Sequence, residues 1–238
     1  MANNATNVWR WIGKVSSEWT SAPAGVPLAY NWTNGDDVVV NDYPDSGTLD
    51  TVTMVSSADY ALETCAIAIA VKTITQGASY LGNICVANLT ATTVTAITNG
   101  GITGGTISIL NASGDCSISG GTITTANLSG TATATDGTIT TANCTGASLI
   151  AGATVTILNW NSTGAQAFGT FGATINAYQD LLFDGGNVTF DGTLTSINVM
   201  RRGVSVKFAF AVHTWAGKLT ILAQYLYGMG EAGGMLDA

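Results

Sequence analysis

The chain runs to 238 residues with 29 Gly, 46% apolar side chains, only 9% charged ones and a formal net charge of -8. Seven Lys and Arg cannot line a phosphate-tracking groove, which excludes nucleic-acid binding; the richest apolar stretch, Val204 to Tyr227, is broken by Lys207, His213 and Lys218, which excludes a membrane-spanning helix. A soluble domain usually carries about a quarter charged residues, so an ordinary solvated enzyme surface is not expected, and the N-terminus MANNATNVWRW, without basic start, apolar core or cleavage site, sets the expectation that the chain has no secretory route of its own.

The composition shifts twice, dividing the chain into residues 1–50, 51–180 and 181–238. The first segment holds four of the six Trp, at positions 9, 11, 19 and 32, and all three Pro. Spaced Trp bury large areas, and Val38 to Val40 after a Gly-Asp-Asp turn reads as a first strand. The segment is therefore expected to cap the middle one. Trp11, Gly13, Ser16 and Trp19, then Asn31, Trp32, Asp36, Asp37 and Val38 to Val40, form a series that resembles the Trp-rich opening of parallel β-solenoid proteins of bacterial surfaces and phage virions. The series departs from that pattern in the segment SAPAGVPLAY between Trp19 and Asn31. The resemblance implies a fibrous, decorating or surface role and brings no catalytic residues with it.

Residues 51–180 carry a 16-residue repeat. GGTIS ends at Ser108, GGTIT at Thr124, DGTIT at Thr140 and GATVT at Thr156, and Asn111, Asn127, Asn143 and Asn159 keep the same beat. A unit this short cannot bury an apolar face alone, so it must stack on its neighbours as a solenoid. Inward positions read as Ile107, Ala112 and Ile118, then Ile123, Leu128 and Ala134, then Ile139, Cys144 and Ile150, followed by Val155 and Trp160. Upstream the rhythm meets Val86, Ala91, Ala96 and Ile102, and downstream Gln166 and Phe171. Neighbours of an inward residue on an extended strand point outward, which places Thr122 and Thr124 on the surface around Ile123. The steps of 5, 5 and 6 residues predict an all-β fold, a three-sided parallel β-helix with 16-residue coils. Stacked at about 4.8 Å, five such turns would span about 25 Å. From Thr73 to Gln179 the only charged residues are Asp115 and Asp136.

In the C-terminal module the period changes to alternation. Val204, Val206, Phe208, Phe210 and Val212 alternate with smaller or polar residues, HTWAGK makes a turn, and KLTILAQYLY reads as a returning strand. The expectation is a β-hairpin. Neither arm has a strongly polar face, so Val204, Val206, Phe208, Phe210, Val212, Leu219, Ile221, Tyr225 and Tyr227 are predicted to form an oligomer interface.

Candidate chemistry is sparse. Cys65, Cys85, Cys116 and Cys144 lack metal-ligand spacing, and His213, the only histidine, has no second ligand near it in sequence. Asp180, Asp184 and Asp191 near Arg201 and Arg202 are the carboxylates that a polysaccharide-cleaving β-helix would use; they read better as ion pairs closing the last coils. Asp36 with Asp37 reads as turn chemistry, and the acidic run that continues through Asp42, Asp45 and Asp50 lacks the spacing of a known Ca²⁺ loop. Eight N-x-S/T triplets would be glycosylation acceptors in a secreted eukaryotic protein, but Asn- and Thr-rich composition accounts for them. No catalytic, metal or cofactor-binding residue is assigned. Ranked outward hydroxyls at Thr106/Ser108, Thr122/Thr124, Thr138/Thr140 and Thr154/Thr156 resemble the T-x-T faces of solenoid antifreeze proteins.

These features together predict a non-enzymatic structural protein of a bacteriophage virion: a fibre, a spike or a capsid decoration. It would be made in the host cytoplasm, assemble as a homo-oligomer, a trimer above all, and meet other virion proteins such as the major capsid protein. Nucleic acid and membrane are not expected partners. The alternatives are a bacterial cell-surface adhesin or filament subunit, an ice-binding solenoid, and a polysaccharide-degrading β-helix enzyme.

Overall fold

The computed structural model describes residues 8–11, 32–33, 38–39, 48–56, 64–65, 69–163, 166–183, 189–190, 194–208, 214–215 and 220–222. They build a parallel β-solenoid of about six turns, without a helix among the described residues. Thr, Val and Ile favour extended backbone, and because each coil offers only short apolar strands, its unpaired amides find partners in the next coil rather than within their own.

The parallel pairings fall into three runs. One stacks Thr90 on Thr106, Thr122, Thr138, Thr154 and Thr170. A second stacks Val94 on Leu110, Ala126, Ala142, Leu158, Ile175 and Ile197. The third stacks Ile102 on Ile118, Ala134, Ile150, Ala167 and Phe183. Partners that differ by one sequence repeat, such as Ile107, Ile123, Ile139 and Val155, lie directly over one another. In the next coil the offset is 17 where Ile150 meets Ala167, returns to 16 at the irregularity between Ala151 and Thr154, and becomes 17 again between Val155 and Ile157, so that Ile157 meets Thr174.

Each inward position read from Val86 through Trp160 is buried, as is Phe171. At the Gln166 step the buried residue is Ala167, because the chain gains one residue on the repeat between Ser162 and Ala167. The single inward residue expected per side underestimates the core. Leu110, Ala126, Ala142 and Leu158 are also fully buried, two positions before Ala112, Leu128, Cys144 and Trp160. The longest strand of each coil thus turns two side chains inward. Burying a Leu stabilises by about 1.5–3 kcal/mol, so Leu110 and Leu158 add that much each to the strand's contribution and Ala126 and Ala142 add less. Where coils are tight the core is Ala and Ile; where they widen, Phe171, Phe183 and Phe190 fill the space with ring centroids 5.3, 5.5 and 6.3 Å apart.

The GGT and DGT motifs turn a corner. Gly121 and Gly137 have φ of 87° and 93°, and a Cβ on Gly137 would lie 2.9 Å from the Gly120 carbonyl oxygen of the coil above. Only Gly satisfies both the left-handed backbone and the close approach.

The ends differ from expectation. Val38–Val39 is a strand, but it runs antiparallel to Val8–Trp11, which itself lies parallel to Thr48–Ser56. Of the segment expected to form a C-terminal hairpin, only residues 204–208, 214–215 and 220–222 are described. Val206–Phe208 lies parallel to Leu181–Phe183, and Thr220–Leu222 lies parallel to Ser196–Val199, while Thr214–Trp215 lies parallel to Thr189–Phe190. Among the described residues the two supposed arms do not pair with each other. Alternation reports only that one face of a strand is buried; it does not choose the partner. An open parallel edge at residues 181–183 and 196–199 already offered one, so the parallel pairing continues beyond residue 180.

Candidate functional surfaces

The first surface is the Thr rank. Thr106, Ser108, Thr122, Thr124, Thr138, Thr140 and Thr154 are exposed, flanking the buried column Ile107, Ile123, Ile139 and Val155. Thr156 is half-buried. The rank starts one coil earlier than the sequence repeat shows, at exposed Thr90 and Thr92. Strand spacing sets the hydroxyls about 4.8 Å apart along the stack.

The second surface is a ladder of side-chain amides. Asn127 Nδ2 donates to Asn111 Oδ1 at 2.8 Å, Asn143 to Asn127 at 2.8 Å, Asn159 to Asn143 at 2.7 Å, Asn176 to Asn159 at 2.7 Å and Asn198 to Asn176 at 2.7 Å. Each Asn lies between inward residues, as Asn127 does between Ala126 and Leu128. Primary amides suit this because each is donor and acceptor at once. The ladder ends where Asn198 pairs with Leu222, and the buried Asn198 Oδ1 has no donor among the described residues.

The N-x-S/T triplets on this ladder have a structural role of their own. In Asn127-Leu128-Ser129 the Asn joins the ladder, Leu128 enters the core, and Ser129 Oγ donates to the Ala112 carbonyl at 3.1 Å. In Asn143-Cys144-Thr145 the Thr145 hydroxyl donates to the Leu128 carbonyl at 3.2 Å. The triplet is one rung together with its fastening to the rung above.

A buried polar clamp has no periodic signal in the sequence. Gln76 is almost fully buried, yet its Nε2 donates to the Tyr80 carbonyl at 2.6 Å and Thr98 Oγ1 at 2.8 Å, and its Oε1 accepts from the amides of Ile97 at 2.8 Å and Thr98 at 3.1 Å. It fastens the corner at Tyr80, where the coil is longer than the repeat, to the first regular turn.

The remaining candidates are dispersed. Asp180 Oδ1 accepts from Ser205 N at 2.8 Å and Ser205 Oγ at 3.2 Å, a pin between coils. Asp184, Asp191, His213, Asp36, Asp37, Asp42 and Asp45 lie outside the described residues. Burial pushes the thiols of Cys116 and Cys144 up to about 12, so both are neutral at physiological pH. Among the described residues no three His, Cys, Asp or Glu side chains converge as metal ligands, and no helix is long and apolar enough to cross a membrane. Of the predicted interface, Val204 is buried within its own chain and Val206 is half-buried against the core. Phe208 and Ile221 lie in strands, their side chains outside the description, and Phe210, Val212, Leu219, Tyr225 and Tyr227 fall outside the described residues. No protein-family model, no curated protein and no solved structure matches this chain.

Proposed function

We propose that the chain is a non-enzymatic structural protein of a bacterial-virus particle, a fibre, spike or capsid-decorating protein built on a stiff solenoid. The observation that carries this is the Asn ladder, which runs from Asn111 to Asn198 over an unbroken apolar column. Every rung is tied to the next by backbone, side-chain amide and core packing together, so bending at one rung strains all three. Such a body transmits force and fixes distance.

In this reading each regular coil is a triangle with sides of 5, 5 and 6 residues, the Trp-rich segment 1–50 closes its first end, and residues 181–238 contribute to a homotrimer contact. Three-fold association lets each rod bury one face. The nearly uncharged stretch from Thr73 to Gln179 favours that packing, since a surface without like charges does not repel its copies. Partners would be further copies and other virion proteins such as the major capsid protein. Two results test the reading: an oligomer of the full chain in solution, and capsid or tail genes flanking its own. Secretion genes in their place would favour a cell-surface adhesin.

A second reading is favoured by one observation, the exposed Thr rank from Thr90 to Thr154 in a single register. Its methyl and hydroxyl groups repeat regularly enough to order water into a lattice. Partition of the protein into a slowly growing ice front, abolished by Thr122→Lys with Thr138→Lys, would establish ice binding; exclusion from the ice would dismiss it.

A further inference from the structure

One side of the solenoid carries no charge. Its inward residues run from Val94 to Ile197, and its outward residues stand in three columns. The first column runs from Thr93 through Ile109 and Ile157 to Ser196, and the second is the Asn ladder, preceded by Thr95. The third runs from Ile97 through Ser113 and Ser129 to Tyr178 and Met200. It is placed by the amides of Ser113, Ser129, Tyr178 and Met200, which donate to the carbonyls of Ala96, Ala112, Trp160 and Ala177 in the preceding coils. None of the outward positions in the three columns holds Asp, Glu, Lys, Arg or His.

Two properties prepare this side for burial. Its polar groups are already engaged within the chain: each amide from Asn127 to Asn176 both donates and accepts along the ladder, and the hydroxyls of Ser129 and Thr145 donate to carbonyls of the preceding coil at 3.1 and 3.2 Å. Covering a polar group costs most when it is left without a partner, and these keep theirs. Its apolar groups, by contrast, face water. Among the described residues the exposed large apolar side chains are Ile97 and Ile109, both on this side and each 40% exposed, and Leu81 at its rim, next to Tyr80, whose carbonyl accepts from Thr98 Oγ1 at 3.4 Å. The Thr rank is the opposite case: its hydroxyls, such as those of Thr122 and Thr138, are exposed, and the apolar column lies beneath them.

We propose that this uncharged side is where copies of the chain meet, three of them parallel about a common axis, with Ile97 and Ile109 of every copy at the same height. This deepens the structural-protein reading and rests on it. A face without charge does not select an oppositely charged partner, and the buried centre of an interface is depleted in charge; a further copy of the same face is equally uncharged and equally long. Six rung steps from Thr93 to Ser196 span about 29 Å and three columns about 20 Å, so three such faces together cover about 1,800 Å², comparable with the about 1,200–2,000 Å² that stable interfaces bury. Rotation about an axis along the rods brings identical rungs to one height, so exposed Ile meets exposed Ile. An antiparallel pair centred on Asn143 would instead set the Ile109 rung against that of Thr174 and Asn176. The Thr rank stays on the outside of the trimer.

Sedimentation equilibrium of the full-length protein tests this, comparing wild type with Ile97→Lys/Ile109→Lys and with Thr122→Lys/Thr138→Lys on the Thr rank as the control. Should the first variant lose its β-type circular dichroism, Ile97→Thr/Ile109→Thr takes its place, since Thr already stands beside Ile109 in the same column at Thr93 and Thr125. The expected result is a wild-type trimer, a control that remains one, and an Ile97/Ile109 variant that associates at least about tenfold more weakly, because each Lys would have to leave water beside two like charges. A wild-type oligomer that the Ile substitutions leave intact, or that the control substitutions weaken as much, would overturn the assignment of this face and leave the structural reading standing. A wild-type dimer would overturn the three-fold arrangement, and a wild-type monomer would overturn both the face and the structural reading.

Discussion

Replacing Asn143 by Ala removes the centre of the amide ladder and nothing from the core. Asn143 donates to Asn127 Oδ1 at 2.8 Å and accepts from Asn159 Nδ2 at 2.7 Å, so two hydrogen bonds vanish and two half-buried groups lose a partner. A net hydrogen bond contributes about 0.5–1.5 kcal/mol, and stranding a polar group adds to the loss when water cannot reach it. Because these groups are only partly buried, the total comes to about 2–4 kcal/mol. Asn111, at the end of the ladder, takes part in one amide-to-amide bond, so Asn111→Ala should cost about half as much. Exposed Thr124, outside the ladder and pointing away from the core, serves as the reference, and Thr124→Ala should stay within about 0.5 kcal/mol. Urea unfolding monitored by far-ultraviolet circular dichroism measures all three. The expected order is Asn143 well above Asn111, and Asn111 above Thr124. Equal, small losses at all three sites would refute the ladder as a source of stiffness.

The same packing sets three further outcomes. Ile139 is fully buried and Thr138 exposed, so Ile139→Asp should cost several kcal/mol or abolish folding whereas Thr138→Asp should be tolerated, as read by thermal melting. Cys116 and Cys144 should resist a thiol reagent at pH 8 until the chain is unfolded. Their folded pKa values, raised by burial from 9.0 to about 12, mean the unfolded state releases these protons first; the stabilisation is complete below pH 9 and declines as pH rises from 9 towards 12, a decline that Cys116→Ala with Cys144→Ala should blunt in urea titrations. Gln76→Leu strands the amides of Ile97 and Thr98 and should cost about 3 kcal/mol or more, visible as a lowered urea midpoint.

The regular coils were legible because each supplies the same residue at the same corner: Gly105, Gly121 and Gly137 turn the chain, and Ile107, Ile123 and Ile139 come after them and point inward. Four of the six rungs of the amide ladder were visible as Asn111, Asn127, Asn143 and Asn159. The other rungs, Asn176 and Asn198, were hidden because a bulge and then longer corners break the period while the stacking continues. In residues 204–222 the longer corners leave only local alternation to read, which does not reveal the parallel partners of Val206–Phe208 and Thr220–Leu222. Leu110 and its equivalents escaped because stepping from corner to corner allows one inward residue per side, whereas an extended side of four residues turns two inward. Gln76 carries no pattern at all. Its burial depends on the one corner it happens to fill, and only the folded chain reveals the four bonds that offset it.

The central claim is that this solenoid is a subunit of an assembly rather than a solitary binding or catalytic domain. Light scattering coupled to size-exclusion chromatography on the full-length chain addresses it most directly. The expected result is a stable species at three times the 24.2 kDa chain mass. A well-behaved monomer at micromolar concentration would contradict it.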